Sequence, residues 1–265
     1  MINTNSGCFD NKKKYSKFEL GLDFEKIQHL TVLDEKKTYL AYVILVAIFF
    51  IVIFASINLT KINYLFYLPC IFIIAGRQGA MVQLVHEASH HLISKNHKLN
   101  DFFGSYLCSY PIGVNFIGFR QGHNNHHVNT ATEYDSPTDL DKYKDVNIKG
   151  FRLYKLFLKD LIGISALEVF LSYGKNNQKK TENKPIKGMI YTFIKLTLIQ
   201  LIILSFFSFN IINYFLFWII PLVSPHMFLM RIRGLAEHGQ ANQLGCKVEN
   251  NSAGTFYTRS FLTPI

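Results

Sequence analysis

The sequence predicts an all-α integral membrane protein of two transmembrane helical hairpins, about four spans, with a cytoplasmic helical cap that carries clustered histidines. Three observations lead there. Apolar residues are segregated into long runs, such as Leu40 to Leu59 and Ile199 to Leu229, instead of recurring at the periodicity of a water-soluble core. Those runs are paired by connectors too short for anything but a tight turn. Lysine and arginine concentrate outside the runs, which is how topology is written into a membrane protein.

Residues 1–38 form a polar, lysine-bearing lead expected at the cytoplasmic surface, and residues 39–265 form the membrane domain. The first span is Leu40 to Ile57, with no charged residue. Asn58 to Asn63 turns the chain with only Lys61 on the far side, and the second run starts at Tyr64, is interrupted at Arg77 and resumes as far as Val85. A second hairpin follows from Ile190 to Phe207 and from Ile211 to Met230, joined by Ser208 to Asn210, with Arg231 and Arg233 immediately after it. The N-terminal, middle and C-terminal segments hold nearly all the cations, so the positive-inside rule places all three, and both termini, on the cytoplasmic face.

The middle region, Glu87 to Lys187, contains two moderately apolar stretches, Phe102 to Phe119 and Leu156 to Tyr173. Polar or bending residues interrupt both, which suits interfacial or re-entrant helices better than full spans. Gly174 to Lys187 reads as a solvated linker.

The formal net charge of +10 raises nucleic-acid binding as a competing explanation, but no basic stripe is interleaved with stacking aromatics. Cys8, Cys70, Cys108 and Cys246 form no C-x-x-C pair or disulfide framework, so four free thiols are expected. The first apolar run begins only after a long polar lead, so it is expected to act as an uncleaved anchor.

Histidine carries the functional signal. Of ten, eight lie at His86, His90, His91, His123, His126, His127, His226 and His238, leaving His29 and His97 isolated. His86 and His90 are four apart on the extension of the second span, so both imidazoles project from one helical face. His123, His126 and His127 repeat the device at i, i+3 and i+4. Two such faces can enclose metal ions, although imidazole suits iron, zinc and copper alike. His86-Glu87-Ala88-Ser89-His90 also satisfies H-E-x-x-H, so a membrane zinc metalloprotease with Glu87 as general base competes for the same residues; it leaves the second cluster unexplained. His226 reads either as a ligand in the bundle or as a hydrogen-bonding group between helices. Glu87, Glu237 and Asp135 are candidates to orient imidazoles, and Arg120, Arg231 and Arg233 are expected to mark the membrane surface.

Taken with the hairpins, the boxes His86 to His91 and His123 to His127 resemble those of the membrane fatty acid desaturase and hydroxylase superfamily, as does Arg231-Ile-Arg-Gly-Leu-Ala-Glu-His-Gly239 with Thr258-Arg259 beyond it. The resemblance covers roughly Leu40 to Ile265. It implies two non-haem irons and O2, with electrons from an external ferredoxin or cytochrome-type donor, acting on a lipid acyl chain by desaturation or hydroxylation. It assigns His86, His90, His91, His123, His126, His127 and His238 to the metals and no catalytic residue beyond the metal centre. A late third box, usual in the superfamily, is missing before Ile265, so a truncated or inactive relative is the further alternative. A compact chain of this kind is expected in a bacterial inner membrane.

Overall fold

The computed structural model describes residues 32–129, 150–171 and 186–238, with Tyr134 and Ile148; the side chains of Ile186, Lys187, Met189, Glu237 and His238 are outside that set. Every regular element among the described residues is helical. Helix α1, Glu35–Ile62, starts at Asp34, whose side chain accepts from the Lys37 amide, and stops at Asn63, which is extended and accepts from the Leu65 amide. A 3-10 turn, Tyr64–Phe66, then feeds α2, Tyr67–Ser89.

The two helices are antiparallel, and a polar tie shows it. Glu35, in the first turn of α1, accepts from Ser94 Oγ at 2.7 Å and from the Lys95 amide at 2.9 Å, just beyond the end of α2. Tyr39 donates to Ser94 Oγ at 2.9 Å. Between these ends, Phe49 and Ile53 of α1 and Ile74, Met81 and Val85 of α2 enter a core shared with Phe217 and Trp218.

The middle region contains α3, His97–Phe102, a π-helical turn, Phe103–Ser109, and α4, Phe116–Asn129. Helix α5, Phe151–Leu161, follows, and residues 164–171 are helical after Gly163. Among the described residues both stretches are built of short helical pieces. Helix α6, Ile186–Phe206, leads into α7, Ile211–Tyr214, a π-helical turn, Phe215–Ile219, α8, Ile220–Val223, and α9, Pro225–His238.

Three helical segments among the described residues are long and apolar enough to cross a membrane: Glu35–Ile62, Tyr64–Ser89 and Ile211–Ala236. Ile190–Phe206, expected as a further span, is a shorter apolar helix. The run expected as one span from Ile211 to Met230 lies within the candidate span Ile211–Ala236, and its helix is distorted at Ser224, where φ is −121° and ψ −92°. Pro225 is the cause, because its ring disfavours the helical conformation in the residue before it and removes an amide donor.

Two glutamines inside this bundle donate to backbone carbonyls. Gln78 is fully buried and donates to the Trp218 carbonyl at 2.8 Å, within the π-helical turn. Gln200 donates to the carbonyls of Tyr110 and Pro111 at 3.0 and 2.9 Å and accepts from Tyr214 at 2.8 Å, which holds α6 against the middle region. Arg231, expected to mark the membrane surface, reaches the fully buried Asp160 with Nη2 at 2.8 Å and Nε on the second oxygen. That pair joins α5 to α9. Cys70 and Cys108 are free and buried; Cys8 and Cys246 lie outside the described residues.

Candidate metal centre

The end of α2 decides which imidazoles can meet. The Leu92 amide donates to the Glu87 carbonyl at 3.0 Å and the His91 amide to Ala88 at 3.1 Å, the paired bonds of a Schellman cap. His90 closes the helix, and His91 takes the left-handed backbone conformation, φ 60°, that this cap requires. His86 and His90 therefore keep helical register while His91 leaves it. Their rings lie 4.9 Å apart.

Helix α4 supplies the opposing face. His123 Nε2 is 2.9 Å from His90 Nε2 and 2.8 Å from His127 Nε2, and the His86 and His123 rings are 4.4 Å apart. The ligand atoms of His86, His90, His123 and His127 all lie within 4.8 Å of one another. Two nitrogens each about 2.1 Å from one ion, a normal imidazole-to-metal distance, stand about 3 Å apart when their bonds are perpendicular. This donor set fits a divalent transition metal. Phe119 stacks on His123 at 5.6 Å and fixes its ring plane.

Electrostatics favour the neutral form that a ligand needs. Burial, reinforced by the neighbouring imidazoles of His86, His127 and His90, pushes the His123 pKa down to about 3. Burial, with the imidazoles of His86 and His127 beside it, also lowers that of His90. Glu87 Oε1 sits 3.1 Å from His86 Nδ1 and accepts from Gln83 Nε2 at 3.2 Å, so this carboxylate orients His86 from behind. Asp135 and the Glu237 side chain lie outside the described residues.

The relative placement of the two faces depends on a latch that residue spacing did not reveal. The Ala88 carbonyl, in the turn between His86 and His90, accepts from Asn100 Nδ2 at 2.8 Å and from Arg120 Nη2 at 3.1 Å. Arg120 Nη1 also donates to Asp101 at 3.1 Å, and Asn100 returns its oxygen to the Ile93 amide at 3.2 Å. Arg120, expected to mark the membrane surface, also fastens α4 to the end of α2 one turn before His123. Gly104 lets the elements close: a Cβ there would stand 2.6 Å from the Phe116 ring and 2.7 Å from Ala88 Cβ.

The other predicted residues are placed as follows. His91 lies against His97, ring centroids 4.2 Å apart, with its Nδ1 3.4 Å from Asn100 Nδ2, outside the four-imidazole group. His126 borders the group, its ring 6.2 Å from that of His123. His226 is buried with Nδ1 3.4 Å from the Ala75 carbonyl, the geometry of a group bridging helices. His238 ends α9, and its side chain lies outside the described residues.

A family model described as fatty acid desaturase matches residues 62–263. The chain belongs to the fatty acid desaturase family. That match spans both histidine boxes, α2 and every later element, so the resemblance drawn from the boxes holds at family level. No solved structure matches the chain. Membership ties the chain to a lipid-acyl, desaturase-like function at a membrane, in keeping with its long apolar helices.

Proposed function

We propose that this desaturase-family chain is a membrane-bound non-haem iron oxidoreductase that desaturates lipid acyl chains in an O2-dependent reaction, with hydroxylation the nearest variant. The observation that carries the reading is the convergence of His86 and His90 with His123 and His127, from two separate boxes, on one point. Iron bound there with O2 supplies the oxidant for an unactivated methylene, chemistry that no side chain offers. The chain's own part is to hold neutral nitrogens, through the half-buried His123 and His90, and to aim them, through Glu87 on His86 and Phe119 on His123.

The four converging imidazoles suffice for one ion, and His91, His126 and His238, which the family resemblance also gives to the metal pair, stand outside that group or outside the described side chains. Electrons come from an external ferredoxin or cytochrome-type donor. The protein is multi-pass with Ile190–Phe206 as a fourth span and both termini cytoplasmic, in a bacterial inner membrane. A zinc protease reading of His86-Glu87-x-x-His90 is disfavoured, because it leaves His123 and His127 together in the group without explanation. The decisive measurement is iron per protein and membrane-lipid unsaturation in cells expressing the chain or His123→Ala. Equal iron and equal unsaturation in both would overturn the proposal.

A further inference from the structure

Helix α5 leaves an apolar strip uncovered while its opposite face is fixed. At about 100° per residue, Leu153, Phe157 and Asp160 share the side toward α9. Phe157 meets Phe228 edge-on at 5.2 Å, and Asp160 holds Arg231. With that roll set, Phe151, Tyr154, Leu158 and Ile162 point away from the protein at 73, 69, 58 and 60% exposure. Gly163, with φ 82°, turns the chain, and Leu167 and Phe170 remain exposed on the next helical segment.

Beside the strip on α5 lies a cationic flank. Arg152 and Lys155 are exposed, about 40 to 100° further round the helix from Phe151, and Lys155 Nζ lies 5.0 Å over the Phe151 ring. Lys159 shares the flank and is paired with Glu168 at 2.6 Å. We propose that α5 lies along the bilayer surface and binds anionic phospholipid headgroups, its strip in the acyl zone and Arg152 and Lys155 on the phosphates. Long cationic side chains beside an apolar strip are the arrangement that lets a helix bury one side in lipid while its charges reach the headgroups. Charge complementarity selects an anionic surface, and position supports it: α9, to which α5 is fastened, belongs to the candidate span Ile211–Ala236. The inference rests on membrane residence alone, not on the metal reading.

The test uses the full chain in nanodiscs of phosphatidylcholine with and without phosphatidylglycerol, following thermal unfolding and lipid retention by native mass spectrometry. The wild type should unfold roughly 2–4 °C higher per engaged cation when phosphatidylglycerol is present, and Arg152→Gln/Lys155→Gln should lose the difference. No phosphatidylglycerol effect in the wild type, or an equal effect in the double variant, overturns the proposal. So does a dimer that Leu158→Glu dissociates without changing the lipid response, which would give the strip to a second copy.

Discussion

His90 Nε2 faces His123 Nε2 at 2.9 Å across the gap between the end of α2 and the middle of α4. These nitrogens come from different boxes, and nothing covalent brings them together.

Removing a ligand from the group should remove the metal. His123→Ala is expected to lower iron or Co2+ affinity by well over the roughly 10–100-fold typical of losing an outer hydrogen bond, whereas His226→Ala should leave stoichiometry unchanged. Metal analysis of purified protein and Co2+ absorption spectra check this. Equal loss in the two variants would refute the assignment.

Arg120 acts on the site through the Ala88 carbonyl. Arg120→Ala should weaken metal binding by about 10–100-fold, and Arg120→Lys should recover only part of it, since a single ammonium cannot span both Asp101 and the carbonyl. Arg120 holds the Asp101 carboxyl below the ordinary 3.8. The folded state thus keeps this contribution above the unfolded value and loses it as pH falls through the lower folded one. Isothermal titration of both variants at neutral pH is the measurement.

In the metal-free protein, acid should act through His123. Its folded pKa, about 3, lies below the ordinary 6.5, so between those values the unfolded chain binds more protons and stability falls as pH drops. Unfolding in detergent at pH 7, 5.5 and 4.5 should show a steeper decline for the wild type than for His123→Ala. Parallel declines would contradict it.

Gly104 has no room for a methyl group against Phe116 and Ala88. Gly104→Ala should destabilise by about 1–3 kcal/mol through overpacking and loosen metal binding, because both neighbours belong to the elements that carry the boxes. Thermal melts together with metal retention during dialysis separate the two effects.

The buried pair of Asp160 with Arg231 should be costly to break from one side. Asp160→Ala removes the buried carboxylate that receives Arg231 and is expected to destabilise by about 1–3 kcal/mol, while the four-imidazole group, built on α2 and α4, should keep its metal. Unfolding in detergent with metal analysis of the folded fraction tests both halves.

Much of this was legible in the sequence because it depends on local pattern alone. Long apolar runs place helices in a membrane whatever their neighbours, and four-residue spacing puts His86 with His90, and His123 with His127, on single helical faces. Which faces meet was decided only in three dimensions. His91 follows His90 directly, yet the cap that ends α2 turns it toward His97, and spacing could not foresee where the helix would stop. Likewise Arg120 reads as a surface cation until Asp101, Asn100 and the Ala88 carbonyl come within reach of it. Helical periodicity is a property of a few consecutive residues, whereas a latch between α2 and α4 is made by groups far apart in the chain that only packing brings together.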